Sequence, residues 1–206
     1  MSGPADQQRF ARALSDPTVQ RIRAALTAHQ PVAADDEPSI RKAAVALIFR
    51  IGSSDRPELL LIRRADYPGD PWSGQVAFPG GREEIGDASL AETAMRETRE
   101  ETGIDIAAEG MLLGTLDDLR PRSVRLPAIV VRPFVALLDR SEPLVLSSEV
   151  AAAFWVPFAA LARNESWRDD TVVVRGTSIS ARVFQHQDHI VWGMTERILT
   201  QLIALL

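Results

Sequence analysis

The sequence predicts a mixed α/β fold of the α+β kind, a mixed β-sheet sandwiched between helices, and three observations carry that prediction. Short β-type runs and helical segments are interspersed without the strict strand–helix–strand alternation of a doubly wound sheet. Apolar residues make up 46% and charged residues 25% of the chain, averages that suit one globular core. At 206 residues the chain accommodates one domain of ordinary size with some decoration and not two generous ones.

The elements follow in order. Val19, Ile22, Ala25 and Leu26 recur at helical spacing after Asp16 and Pro17, which read as a helix start. The Pro- and Asp-containing stretch 31–39 reads as a linker. Residues 1–38 are therefore expected to be an N-terminal helix and linker packed on a main domain of residues 39–206. "KAAVALIFRI" (42–51) and "ELLLIRR" (58–64) read as a strand pair around "GSSDRP". "DYPGDPWSG" (66–74) is turn chemistry, and "QVAF" is a brief strand ending in Pro79-Gly80-Gly81. A helix follows, then "MLLGTLDDL" and "AIVVRPFVALL" as strands. "EVAAAFWVPFAALA" (149–162) reads as a helix, "TVVVRG" and "ARVFQ" as strands, and "TERILTQLIALL" as a C-terminal helix.

Charge and composition exclude several functions. A net charge of −5 and a pI near 5.3 provide no broad basic field for a phosphate backbone, so nucleic acid is not the expected partner. With no cysteine, disulfides, thiolate nucleophiles and thiolate-held zinc are ruled out. A metal would have to sit on oxygen, or on His29, His186 or His189, which have no ligand spacing with the carboxylates. The first thirty residues have no continuous apolar segment of the secretory kind, and no run approaches the roughly 20 apolar residues of a spanning helix. A soluble cytoplasmic protein without a membrane partner is expected, and a homodimer is left open.

The stretch "RETREETG" (96–103) carries the chemistry. Ser89 and Glu92 have capping-box spacing, which starts a helix near Leu90. Gly103 fits the left-handed residue that ends one, near Thr102. Leu90, Ala94 and Met95 supply an apolar face. Glu97, Glu100 and Glu101 fall within an arc of about 100°, and Arg96 can hold Glu100 at i,i+4. A solvated surface helix would show the same charges. The preceding Pro79-Gly80-Gly81 adds a close backbone approach and a free carbonyl, and a glycine turn feeding a carboxylate helix suits a hard divalent cation.

These residues resemble the Nudix box, G-x5-E-x7-R-E-U-x-E-E-x-G-U with U aliphatic, the loop–helix–loop motif of Nudix hydrolases. Here Gly81 and Asp87 are followed by Arg96-Glu97-Thr98-Arg99-Glu100-Glu101-Thr102-Gly103-Ile104. Thr98 replaces an aliphatic residue, Asp87 replaces Glu, and one extra residue is placed at Ala88, before the helix, so the glutamate register is kept. The same departure resembles the coenzyme A pyrophosphatase branch, which carries "GQVAFPGG" (74–81 here) and an Asp box. "IVWGMTERIL" (190–199) is similar to that branch's C-terminal "WG-x-T" segment. Better known members have an Arg and a His before GQV, where this chain has Asp70-Pro71-Trp72-Ser73.

The resemblance implies a Nudix fold and metal-dependent hydrolysis of a nucleoside diphosphate linked to another group. Magnesium or manganese would be held by Glu97, Glu100, Glu101 and the Gly80 carbonyl, with Arg96 supporting the glutamates. Asp87 is expected to bond loop amides. The general base is Glu97 or Glu149, the latter also readable as a first-turn charge of the expected 149–162 helix. Arg63, Arg64 and the cluster Arg120, Arg122 and Arg125 are candidates for a 3′-phosphorylated ADP moiety, Arg being suited to bidentate phosphate contacts. Trp155, Phe158 and Trp192 are expected in the core. Coenzyme A or its acyl derivatives are the expected small-molecule substrates. The missing Arg and His leave ADP-ribose, a dinucleotide or another nucleoside diphosphate derivative as the alternative. A ligand sensor without turnover is a third reading, and it predicts a damaged box.

Overall fold

The apolar run "KAAVALIFRI" becomes the centre of a sheet because it has partners on both sides. In the computed structural model, which describes residues 10–35, 37, 40–121, 127–139, 143–174 and 176–206, it is strand β1 (Arg41–Ile51). β1 pairs antiparallel with β2 (Pro57–Arg64), Phe49 opposite Leu59. On its other side it pairs parallel with β6 (Ile129–Leu138), from Arg41 opposite Ile129 to Phe49 opposite Leu137. The sheet continues to β3 (Val76–Ala77) beyond β2 and to β5 (Gly110–Thr115) beyond β6. β4 (Gly80–Arg82) also lies on β1, and β7 (Val150–Pro157) on β2. Parallel and antiparallel pairs thus share one mixed sheet, as expected.

Alternation along the strands divides the core into two layers. Leu47 and Phe49 of β1, Leu59 and Leu61 of β2 and Val135 and Leu137 of β6 face one side. Helix α1 (Ala11–Leu14) contributes Ala13 there, α2 (Pro17–Ala28) contributes Val19, Ile22 and Leu26, and the C-terminal helix, α6 (Gly193–Ala204), contributes Ile198, Leu199 and Leu202. Ala44, Ala46 and Ile48, Leu60, and Ala136 and Leu138 face the other side, against Ala94 of α3 (Leu90–Thr102) and Ile106 of α4 (Ile106–Glu109). Because both faces are covered, β1 reads as a continuous apolar run rather than an alternating one. Each fully buried Leu or Ile in it contributes roughly 1.5–3 kcal/mol. The N-terminal helix starts where expected: the Asp16 side chain accepts hydrogen bonds from the amides of Thr18 and Val19, with Pro17 in the first turn.

The expected helix over 149–162 is replaced by a strand. Val150–Pro157 forms β7 and only Phe158–Ala162 is helical, as α5. The alanines favour a helix locally. β7, however, pairs with β2 from Glu58 opposite Pro157 to Arg64 opposite Val150. That ladder satisfies a buried strand's backbone groups, and tertiary pairing overrides propensity. The glycine segment differs too, because Gly80–Arg82 is a short strand rather than a free turn. The two C-terminal strands lengthen into β8 (Trp167–Val174) and β9 (Thr177–His186), and with β10 (His189–Val191) they form a second antiparallel sheet. No helix among the described residues is long and apolar enough to cross a membrane.

Candidate active site

The glutamate helix α3 is set at both ends by local chemistry. Its first turn is capped by Ser89, whose Oγ accepts the Glu92 amide at 3.2 Å. The Glu92 carboxylate reaches back to the Ala88 amide at 2.9 Å, one residue before the position of an ideal capping box. Gly103 ends the helix in the left-handed region, at φ 78°. A loop then closes over the last carbonyls: the amides of Val145 and Ser147 donate to the carbonyls of Thr102 and Glu101 at 2.9 and 3.2 Å. Two of the terminal acceptors that a helix leaves open are thereby satisfied.

That loop also delivers Glu149. Its carbonyl accepts the Ala65 amide at 2.8 Å, so the residue sits where β7 enters the sheet beside the end of β2. Since β7 is a strand, the helix-dipole account of Glu149 falls. A cavity of about 490 Å³ is lined by Glu97, Glu101 and Glu149, with Arg64, Gly80, Gly81 and Arg82. Residues far apart in sequence thus converge on one space.

Within it, Glu101 is 3% exposed. One of its oxygens accepts the Gly80 amide at 2.9 Å, and the other lies 3.8 Å from the Arg64 guanidinium. Burial pushes its pKa up to about 7, against the pull of Gly80 and Arg64 and helped by the negative charges of Glu97 and Glu149. Glu97 lies 3.1 Å from Arg96, and burial raises its pKa while Arg96 lowers it. The Glu97 carboxylate rests on Gly81, where a β-carbon would overlap it, and a β-carbon at Gly80 would overlap the Ala44 carbonyl. Gly80 is therefore required for the close approach of β4 to β1, whereas at Gly81 the neighbour is the mobile end of the Glu97 side chain. Gly80, at φ 150°, also holds a backbone conformation that favours glycine.

Glu100 departs from the expected set. It is 54% exposed and bonded to Arg96 at 3.1 Å, and it does not line the cavity. Three carboxylates on one face repel, and the exposed one is drawn to the Arg96 guanidinium. Among the described residues no three His, Asp or Glu side chains form a ready-made cage for an ion. The donor chemistry nevertheless fits a hard divalent cation: Glu97 and Glu101 are oxygen donors facing one cavity, and the buried Glu101 has weak charge compensation.

Arg96 and Asp87 form the clasp behind this face. The guanidinium donates to both Asp87 oxygens at 3.0 Å, and to the Arg82 carbonyl at 3.1 Å. Asp87 also accepts the Thr93 hydroxyl at 2.8 Å and the Glu84 amide at 3.0 Å. Its pairing with Arg96 holds the Asp87 carboxyl well below the usual carboxylate range. Asp87 was expected to bond loop amides, and it does, but its principal partner is Arg96.

The substrate arginines separate. Arg64 points to the glutamate cavity and is bonded to Asp70 at 3.1 Å. Arg63, on the opposite face of the same strand, lines a second cavity of about 320 Å³. Arg120 holds Glu37 at 3.1 Å and the Asp35 carbonyl at 3.3 Å, tying down the linker. Arg122 and Arg125 lie outside the described residues. Of the aromatic residues expected in the core, Phe158 is buried. Trp155 is partly buried under the Arg50 guanidinium, 4.0 Å from its ring, and Trp192 lines the second cavity. Asp70, Trp72, Gln75 and Thr195 were not singled out, yet they line the first cavity, and the Thr195 hydroxyl donates to the Val76 carbonyl at 2.8 Å. They lie in the "DPWSGQV" and "WGMT" segments, which carry the branch resemblance and, at 70–73, the departure from it, and which gave these residues no role of their own.

This site sits on a match to the NUDIX domain over residues 40–175. The chain belongs to the Nudix hydrolase family. It is 34% identical over 158 residues to an uncharacterized Nudix hydrolase, NudL, of Photorhabdus laumondii, an alignment spanning 76% of this chain and 81% of that protein. A NudL of Salmonella paratyphi B is 33% identical, over 76% of this chain and 79% of its own length. An uncharacterized Schizosaccharomyces pombe protein is 39% identical over 109 residues, 51% of this chain, and the chain spans only 33% of that relative's length. The fold resembles a MutT/nudix protein of Enterococcus faecalis, with a TM-score of 0.54 at 17% identity over 98% of this chain and 73% of that one.

Proposed function

We propose that the protein hydrolyses the diphosphate linkage of coenzyme A or an acyl-coenzyme A, giving 3′,5′-ADP and 4′-phosphopantetheine or its acyl derivative. The observation that carries this reading is the convergence of Glu97, Glu101 and Glu149 with Arg64 on one cavity, at the end of a box whose Asp87 and "GQVAFPGG" are similar to that branch.

Glu97, Glu101 and the Gly80 carbonyl would hold magnesium or manganese, and Glu100, bonded to Arg96 at the rim, is the remaining box carboxylate that could join them. When bound, such an ion neutralises charge developing on the phosphoryl oxygens. The chain's own groups do the rest. Arg64, already 3.8 Å from Glu101, meets the diphosphate and offers its fork of donors to the oxygens. Arg96 holds Glu97 and Glu100 in place and leans on Asp87. Glu149 takes a proton from the attacking water as its oxygen bonds to phosphorus, and the bond from that phosphorus to the departing oxygen breaks. Glu149 suits this role better than Glu97. Its carboxylate makes no hydrogen bond among the described residues, whereas the Glu97 carboxylate is committed to Arg96.

The test is hydrolysis by purified protein with magnesium or manganese, with coenzyme A, ADP-ribose and diadenosine polyphosphates side by side. Release of 3′,5′-ADP from coenzyme A supports the reading. Coenzyme A left intact while ADP-ribose is cleaved moves the substrate to the alternative class, which the Asp70-Pro71-Trp72-Ser73 departure favours, and leaves the chemistry standing.

A further inference from the structure

Successive residues of a strand point to opposite faces, and Arg63 and Arg64 at the end of β2 use both. Arg64 is held by Asp70 and faces Glu101 across the glutamate cavity. Arg63 turns to the second cavity, whose walls are Val172, Val173 and Val174 of β8, Asp188, His189 and Ile190 around the last hairpin, and Trp192. The two cavities share Asp70, Pro71, Gln75 and Val76 as a common wall.

The Arg63 Nε is buried and has no hydrogen-bond partner among the described residues, and the same holds for Arg64 Nε. A buried guanidinium donor without an acceptor in the chain costs free energy, and a ligand oxygen in the cavity would satisfy it. Asp188 lines the same cavity, but no ion pair joins it to Arg63 among the described residues, and Asp70 is engaged by Arg64 and by the Trp72 amide at 3.0 Å.

We infer that the second cavity is an anion subsite keyed by Arg63, which takes a terminal phosphate borne by the same substrate whose diphosphate lies over the glutamates. The inference rests on the diphosphate-hydrolase reading and adds what that reading leaves open: how a substrate with a second, remote phosphate is told from one without it. A phosphate there would meet the Arg63 guanidinium in a charge-assisted bond, the stronger kind of hydrogen bond. A phosphate on the ribose of an adenine nucleotide is the chemical class that fits.

Two measurements test it. In the first, kcat/KM with magnesium is compared for coenzyme A and for dephospho-coenzyme A, which lacks the ribose phosphate. The native protein is expected to favour coenzyme A by tenfold or more, the ratio falling to near one in Arg63→Met and only part of the way in Arg63→Lys. In the second, which needs no turnover, calorimetric titration compares 3′,5′-ADP with 5′-AMP. The native protein is expected to prefer 3′,5′-ADP, and Arg63→Met to lose that preference while its thermal melt still shows a cooperative fold. Equal handling of the paired ligands by the native protein, or a preference that survives Arg63→Met, would overturn the subsite. If neither coenzyme is cleaved while the calorimetric preference depends on Arg63, the subsite stands and the hydrolysis reading is what fails.

Discussion

Thr98 occupies a position where the family pattern has an aliphatic side chain, and the reason for that pattern is visible. The residue is fully buried, and its hydroxyl oxygen has no partner among the described residues. Replacing it by valine keeps the shape and removes a buried polar group. Thr98→Val is expected to raise stability by about 1 kcal/mol, read as a higher denaturation midpoint with an unchanged slope. Asp87 acts in the other direction. Its folded pKa is depressed by Arg96, so its contribution to stability is present above the unfolded value of about 4 and is lost as pH falls below it. Denaturation of Asp87→Asn across pH should show a deficit against the native protein at neutral pH that narrows below about pH 4. A constant gap would show that the clasp with Arg96 contributes no charge-linked stability.

At the scale of elements, the box helix was legible because its signals are local: the Ser89 cap, the Gly103 stop and the apolar stripe of Leu90, Ala94 and Met95 all lie within the segment itself. β7 was not, since an alanine-rich run becomes a strand only when β2 is beside it, and nothing inside residues 150–157 encodes that partner. For the same reason, the sequence could place Glu149 near a helix but not on the rim of the glutamate cavity. The parting of Arg63 from Arg64 was available from strand alternation alone, whereas the turning of Glu100 toward Arg96 depends on which carboxylates the sheet buries. The junction of α3 with the loop that carries Glu149 makes its own prediction. A β-carbon at Gly103 would sit 3.1 Å from Val145 Cβ at a φ of 78°, so Gly103→Ala should cost about 1 kcal/mol or more. It should also lower turnover, because the same loop aims Glu149. Thermal melts and kcat, measured together, separate that from a change in stability alone.

At the scale of the whole molecule, the mixed sheet brings three distant segments together: the glycine strand on β1, the box helix against one face, and the start of β7 beside β2. This arrangement creates a carboxylate cavity whose least exposed member, Glu101, is poorly compensated by protein charges. On the proposed function a divalent ion would supply that compensation, so chelation with EDTA is expected to abolish hydrolysis, and added magnesium or manganese to restore it. Arg96→Leu, which removes the support behind the proposed ligands, should weaken metal affinity by about 10 to 100-fold, measured as a shift in the metal concentration giving half-maximal rate.

The central claim, that this cavity is where the diphosphate is broken, is tested most directly by the magnesium-dependent kcat of Glu101→Gln, a substitution that keeps the size of the side chain and removes its charge. The account predicts a loss larger than the roughly 10 to 100-fold that a merely supporting residue costs, with the cooperative thermal transition retained. Hydrolysis at the native rate by Glu101→Gln would place the chemistry elsewhere.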